Sequence, residues 1–159
     1  MAQRICLFPG TFDPITKGHT DIIDRALGLF DSLIIGIGIN SSKQPMFSIE
    51  QRIEWIERIY KNEPKIKVIA YEGLTIDCCK NNNAQFILRG IRYINDFEYE
   101  KAIADMNRML APEVETVFLT CTPLYSTISS TLVRDVIRNN GNVHQFIPEA
   151  IVQDFKTSS

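Results

Sequence analysis

Five short apolar runs, separated by segments of helical period, leave this 159-residue chain few ways to fold. The runs are Ile5–Phe8, Leu33–Ile39, Lys65–Ala70, Gln85–Leu88 and Glu115–Leu119. The second, a continuous β-branched and glycine run, suits a strand buried on both faces. After the first run, Ile22, Ile23, Ala26, Leu27 and Phe30 recur at helical spacing. After the second, Ser48 and Gln51 form a capping-box pattern, and Ile49, Ile53, Ile56, Ile59 and Tyr60 supply an apolar stripe. Leu74–Lys80 reads as a short helix. Asn95 or Asp96 is expected to cap the longest helix, running to about Met109 with Tyr99, Ala102, Ile103 and Met106 on one side, and Pro112 closes that unit. Ser130–Arg138 reads as a helix with Gly141 as its C-terminal cap. Pro148 opens a short final helix carrying Ile151, Val152 and Phe155, before a frayed end.

Parallel neighbours need crossover helices, and such crossovers are right-handed. The expected fold is therefore α/β: a Rossmann-like, doubly wound, five-stranded parallel sheet in a single domain spanning residues 1–159. Ligands of such sheets bind at the carboxyl ends of the strands, where strand order reverses. The ends of strands one, two, four and five lead into the G-T-F-D-P turn, Asn40–Lys43, Arg89–Arg92 and Thr120–Thr131, each polar or cationic. No G-x-G-x-x-G fingerprint is present, and Gly36-Ile37-Gly38 falls inside a strand, where close packing explains it better than a phosphate loop.

The stretch Phe8–His19, F-P-G-T-F-D-P-I-T-K-G-H, is a strand, turn and helix start. Pro9-Gly10 and Asp13-Pro14 form turns, and Gly18 lets backbone N–H groups approach a ligand. A helix N-terminus offers unpaired N–H donors and partial positive charge, and Thr11, Thr16 and His19 add side-chain donors at the same mouth, as a phosphate requires. The alternative is a plain strand-to-helix turn with His19 an ordinary first-turn residue.

Composition narrows the partners. At 45% hydrophobic and 23% charged residues, with formal net charge −2, the chain is ordinary soluble material without the basic field of a nonspecific nucleic-acid binder. Anionic ligands must be met by local charge. The longest apolar run is too short to span a bilayer and no targeting pattern precedes it, so a cytoplasmic protein with no membrane or nucleic-acid partner is expected. Cys6, Cys78, Cys79 and Cys121 lack metal-ligand spacing and read as reduced, partly buried thiols rather than zinc ligands or a disulfide framework.

Local charge gathers at the strand ends. Arg89 and Arg92 flank Gly90 beyond the fourth run, and two planar guanidinium forks suit a polyphosphate. They could instead pair with Asp96, Glu98 or Glu100 at the surface. Lys43 follows the second strand on a loop from which a flexible cation reaches a phosphate. The hydroxyl-rich run Tyr125–Thr131 leads into a helix, either as a cap with its turn or as a second phosphate-binding N-terminus.

The run G-T-F-D-P followed by T-K-G-H resembles the nucleotidylyltransferase superfamily signature, with Thr16 in place of its first histidine. With R-G-I-R at Arg89–Arg92, D-F-E-Y-E at Asp96–Glu100 and I-S-S-T-L-V-R at Ile128–Arg134, the chain resembles the bacterial phosphopantetheine adenylyltransferases over essentially its whole length. The resemblance implies reversible adenylyl transfer from ATP to 4'-phosphopantetheine, giving dephospho-coenzyme A and pyrophosphate. By similarity, Thr11, Lys43 and Arg89 would bind phosphopantetheine, joined by Thr75 and Asn107. Thr75 stands where the family often has an apolar residue. Thr11, Phe12, His19, Gly90, Ile91, Arg92, Glu100 and the run Tyr125, Ser126, Thr127, Ile128, Ser129, Ser130 and Thr131 would bind ATP. His19 would stabilise the transition state, with Lys43 and Arg92 assisting. The resemblance also implies Mg2+ carried on the ATP phosphates with no direct protein ligand, a homohexamer, and coenzyme A as a feedback ligand. Two alternatives remain at this point: a related acceptor such as nicotinamide mononucleotide, and a nucleotide sensor without catalysis.

Overall fold

The computed structural model describes residues 2–155. The expected frayed end lies outside the described residues. In chain order the elements are β1 (Ile5–Gly10), α1 (Lys17–Ala26), β2 (Ser32–Gly38), α2 (Ile49–Ile59), β3 (Ile66–Tyr71), α3 (Thr75–Asn81), β4 (Phe86–Ile91), α4 (Ile94–Leu110), β5 (Glu115–Thr120) and α5 (Ser130–Arg138). Two 3-10 helices, Pro123–Tyr125 and Glu149–Phe155, complete them. All neighbouring strands pair in parallel in the order β3-β2-β1-β4-β5. The order reverses between β1 and β4, which is the Rossmann-like arrangement the alternating pattern predicts.

That junction opens into a crevice for a local reason. β1 and β4 are in register only at Cys6↔Phe86 and Leu7↔Ile87, whereas β1 pairs with β2 through Gly10 and β4 with β5 through Ile91. Pro9 has no N–H to donate into a ladder. Its carbonyl is taken instead by NH1 of Arg89 at 2.8 Å. Strand alternation turns Cys6 and Phe8 to one face and Leu7 to the other. On the first face they join Ile23, Leu33, Ile35, Trp55, Ile56 and Val133, from α1, β2, α2 and α5. On the second face Leu7 packs with Ile34, Ile76, Cys79, Ile87 and Val114. The final 3-10 helix is pinned to α2 where Asp154 accepts from Trp55 Nε1 at 2.6 Å and from Arg58 NH1 at 2.8 Å.

Several expectations shift. α1 stops at Ala26, although Phe30 beyond it is still buried. β4 runs on through Arg89 and Gly90 to Ile91, because its ladder with β5 continues past the apolar run. Ser48 caps α2 by accepting from the Gln51 amide at 3.2 Å, but the Gln51 side chain turns to Glu54, so only half of the capping box forms. α4 is capped at Tyr93, neither at Asn95 nor at Asp96; Asp96 sits in the first turn and accepts from the Arg92 and Tyr93 amides. The apolar side expected for α4 is not a core face: α4 buries no residue, and Tyr99, Met106 and Met109 stand in the open. At the end of α5 the left-handed position belongs to Asn140 (φ 56°), not Gly141. The amides of Asn140 and Gly141 return to the carbonyls of Ile137 and Val136, closing a Schellman motif. Gly141 is there for space, since a Cβ would lie 2.6 Å from Val136 Cγ1. Gly36 likewise has Leu7 and Tyr71 against it, as close packing in the strand requires. Cys6, Cys78 and Cys79 are buried free thiols, and Cys121 is half-buried.

Candidate active site

The crevice widens at the carboxyl ends of β1, β2 and β4 into a cleft of about 1340 Å³. Thr11, Phe12, His19, Lys43, Thr75, Arg89, Gly90, Arg92, Glu100, Asn107 and Ile128–Thr131 all line it. Ile91 does not; it faces a shallower apolar hollow of about 930 Å³ with Tyr93, Ile94, Phe97 and Phe118. Tyr125, Ser126 and Thr127 also lie off the cleft wall, in and after the first 3-10 helix, where Ser126 Oγ donates to the Pro123 carbonyl.

Six lysine and arginine side chains on this wall oppose three carboxylates, in a chain whose net charge is −2. The positive charge is therefore concentrated here, as an anionic ligand demands. Each carboxylate is already engaged. Glu100 grips Arg89 with two contacts, 2.7 Å to Nε and 2.6 Å to NH2. Asp96 takes Arg92 Nε at 3.3 Å. Asp13 accepts the amides of Met46 and Phe47 at 2.8 and 2.9 Å. The two arginines thus line the cleft and make ion pairs at once, so the two readings of their sequence positions coincide.

His19 occupies the first turn of α1. Thr16 is the N-cap, and its hydroxyl accepts the His19 amide at 3.4 Å while the Thr16 amide donates to His19 Nδ1 at 3.0 Å. This is a capping box in which histidine replaces the usual acid or amide. Thr16 is 1% exposed. Its hydroxyl is engaged at the helix start, where it accepts the His19 amide and lies 3.0 Å from Nδ1. Nδ1 accepts, so the neutral ring carries its proton on Nε2. Withdrawal from water lowers the His19 pKa to about 4, and the charges of Arg92 and Arg89 act in the same direction. The Phe12 ring meets the imidazole edge-on, centroids 5.0 Å apart. Phe12 itself is buried with φ 48°, and Gly10 leaves room for it, since a Cβ there would lie 2.9 Å from the ring.

A second helix start faces the same cleft. Ser129 caps α5 by accepting the Leu132 amide at 3.2 Å, and Ser130 Oγ donates to the Pro14 carbonyl at 2.8 Å, tying α5 to the first turn. The Ser129 hydroxyl does the capping and the Ser130 hydroxyl the tying, while the amides of Ser130 and Thr131 occupy first-turn positions that have no intrahelical acceptor. Lys43 is exposed on the loop after β2, and Thr75 Oγ1 lies 3.0 Å from the Tyr71 hydroxyl at the cleft's other side.

Sequence reasoning missed Asp13, Arg52 and Arg134 as site residues, although all three line the cleft. Arg52 is 4% exposed, and its NH1 donates to the Thr11 carbonyl at 2.8 Å. One signal was available: Arg52 falls on the same helical face as Ile49 and Ile56, where a charge is out of place. Arg134 sits inside the I-S-S-T-L-V-R run, and its NH1 donates to the Asp13 carbonyl at 2.8 Å.

Parallel strands parted at the switch point, two helix starts and a cationic wall suit a polyphosphate ligand, and residues 7–136 match the Cytidylyltransferase-like family, which places the chain in the nucleotidyl-transfer class. Phosphopantetheine adenylyltransferase of Flavobacterium psychrophilum is 54% identical over 149 residues, covering 94% of this chain and 98% of that protein. The enzyme of the same name from Bacteroides thetaiotaomicron is 51% identical with the same coverages. The chain belongs to the phosphopantetheine adenylyltransferase family. Two solved structures share the fold at greater distance. A bifunctional NMN adenylyltransferase/ADP ribose pyrophosphatase from Francisella tularensis has TM-score 0.71 and 21% identity, covering 92% of this chain and 45% of that one. A putative nicotinate-nucleotide adenylyltransferase from Vibrio parahaemolyticus has TM-score 0.66 and 16% identity, covering 97% and 99%.

Proposed function

We propose that this chain transfers an adenylyl group reversibly from Mg–ATP to 4'-phosphopantetheine, giving dephospho-coenzyme A and pyrophosphate, with His19 stabilising the transition state. The family supplies the reaction. The observation that carries the part of His19 is the Thr16 amide on Nδ1, which leaves a neutral ring with its proton on Nε2 at the cleft wall.

A phosphate oxygen of phosphopantetheine attacks the α-phosphorus of ATP, the bond from that phosphorus to the β-phosphate oxygen breaks, and pyrophosphate leaves. Both reactants arrive as anions, so the protein's work is alignment and the stabilisation of charge on the transferring group. His19 Nε2–H and Lys43 serve the α-phosphate, and Arg92 with the α5 start serves the leaving pyrophosphate. Thr11, Lys43 and Arg89 take the acceptor phosphate, with Thr75 and Asn107 along the pantetheine arm. Thr11, Phe12, Gly90–Arg92, Glu100 and Tyr125–Thr131 form the nucleotide side, which requires Tyr125–Thr127 and Ile91 to act from the rim. Magnesium enters with ATP. Asp13, Asp96 and Glu100 are each committed to amides or arginines, which suits a cation ligated by phosphate and water rather than by the cleft.

Residues 1–159 act as one nucleotidylyltransferase domain in the cytoplasm; among the described residues no helix is long and apolar enough to cross a membrane. The open apolar side of α4 supports assembly as a homohexamer, and coenzyme A, as a near relative of the product, is the expected feedback ligand. The deciding experiment is pyrophosphate release from Mg–ATP with 4'-phosphopantetheine or nicotinamide mononucleotide as acceptor. Release with phosphopantetheine, together with dephospho-coenzyme A, is expected. Release with the mononucleotide alone would overturn the acceptor.

A further inference from the structure

Apart from Thr16, the polar side chains buried in this chain's described residues are Asp13 and Arg52, 3% and 4% exposed. Burying a charge is costly unless hydrogen bonds replace its water. Here three of the replacement bonds cross from the turn after β1 to α2 or the segment leading into it, and the other two tie Arg52 to the start of its own helix. Asp13, in the turn after β1, accepts the Met46 and Phe47 amides at 2.8 and 2.9 Å. Arg52, on α2, donates from Nε to the Phe47 and Ser48 carbonyls at 3.1 and 3.3 Å and from NH1 to the Thr11 carbonyl at 2.8 Å. The Phe47 residue is therefore gripped by its N–H from one segment and by its C=O from the other.

Lys43 stands three residues before Met46 on the same loop. At the loop's other end Asn40 holds it, its side chain accepting the Ser42 amide at 2.9 Å and its carbonyl accepting the Lys43 amide at 3.1 Å. Lys43 thus hangs between a tie at Asn40 and a tie at Asp13. Asp13 also meets α5: its carbonyl accepts Arg134 NH1 at 2.8 Å, with the same nitrogen 3.9 Å from its carboxylate.

We propose that Asp13, with Arg52, is a positioning residue that fixes the Lys43 loop relative to Thr11 and His19, so that Lys43 reaches the transferring phosphate. The proposal rests on the adenylyl-transfer reading of the site. Asp13→Asn keeps the shape but sets an NH2 against one of the two amide donors, the Met46 or the Phe47 N–H, and removes the charge. Turnover should fall about 10- to 100-fold, the scale on which small misplacements of reacting groups act. The KM for ATP should change little.

The discriminating readout is the cost of Lys43→Ala, measured in the wild-type chain and again with Asp13→Asn. Positioning requires that cost to shrink at least tenfold in the second background. A purely structural role would lower the unfolding midpoint and leave the Lys43→Ala cost the same in both, which overturns the proposal. Should Asp13→Asn not fold, Arg52→Lys keeps the buried charge but loses the two-nitrogen grip, and the same shrinkage is required of it. Hydrogen exchange at the Met46 and Phe47 amides must also quicken in either variant, whatever the substrate; unchanged exchange overturns the tie. A wild-type chain that releases no pyrophosphate would instead count against the adenylyl-transfer reading itself.

Discussion

The Thr16 amide donates to Nδ1 of His19 at 3.0 Å, and that bond selects the tautomer of the ring. A backbone N–H has no other proton state to offer, so Nδ1 must accept and Nε2 must hold the proton. The element that starts α1 and the element that orients the imidazole are one and the same. Sequence spacing dictates this: a histidine three residues after an N-cap threonine stands where a capping box places its reciprocal partner.

Protonation should follow this geometry. Burial and then the Arg92 and Arg89 charges lower the His19 pKa to about 4. Nitrogen-15 NMR of the ring should show an Nε2-protonated neutral imidazole at pH 6 and a midpoint near 4; a midpoint above 6 would sink this account. The folded pKa lies below the unfolded value of about 6.5, so the folded state binds fewer protons between them. The associated stability is present above pH 6.5 and is lost as pH falls toward 4. His19→Ala should therefore lose less stability than wild type between pH 7 and pH 5 in denaturant titrations.

The same substitution tests catalysis. Removing one preorganised donor of this kind commonly lowers turnover by roughly 10²–10³. His19→Ala should keep its circular dichroism spectrum and lose that much kcat in single-turnover measurements. Turnover within a few-fold of wild type would assign the work to Lys43 and Arg92 instead.

Glu100 offers a separate test. Its two contacts to Arg89, with the Pro9 carbonyl on NH1, leave the guanidinium one way to face the cleft. Glu100→Gln keeps the shape and removes the countercharge. The expected result is a KM for phosphopantetheine raised about tenfold through Arg89, equivalent to roughly 1.4 kcal/mol of lost orientation, together with a raised KM for ATP, because Glu100 also stands on the nucleotide side. A rise confined to ATP would mean that Arg89 is oriented without Glu100, and a rise confined to phosphopantetheine would take Glu100 off the nucleotide side.

These relationships differ in how far they could be read from the chain. The five strands were legible because their apolar runs are short and the helices between them carry a 3.6-residue stripe. The limit of β4 was not, because Arg89 and Gly90, which carry it on to Ile91, are polar or small and are held as strand by pairing with Phe118 and Leu119. The turn after β1 announced itself through glycine, proline and threonine. Arg52 did not, since its partners, the carbonyls of Thr11, Phe47 and Ser48, carry no side-chain signature. Tyr125–Thr127 read as binding residues through the hydroxyl-rich run and the family resemblance, whereas the chain there forms a 3-10 helix closed by the Ser126–Pro123 bond, outside the residues that line the cleft. Asn140 took the left-handed position beside Gly141 because asparagine tolerates it and Val136 needs the space that glycine leaves.

Thr16 separates helix capping from ligand binding. Its hydroxyl is buried, accepts the His19 amide at 3.4 Å and lies 3.0 Å from Nδ1, whereas the bond that sets the tautomer comes from its backbone. Thr16→Val removes the hydroxyl and preserves that backbone donor. The loss of the cap should cost about 1 kcal/mol, which in a chain of this size lowers the unfolding midpoint by roughly 2–4 °C. Turnover should fall no more than a few-fold, far less than for His19→Ala, because Nε2 still carries the proton. A drop of two orders of magnitude in Thr16→Val, with the midpoint unchanged, would reverse the assignment and make the hydroxyl itself a phosphate donor.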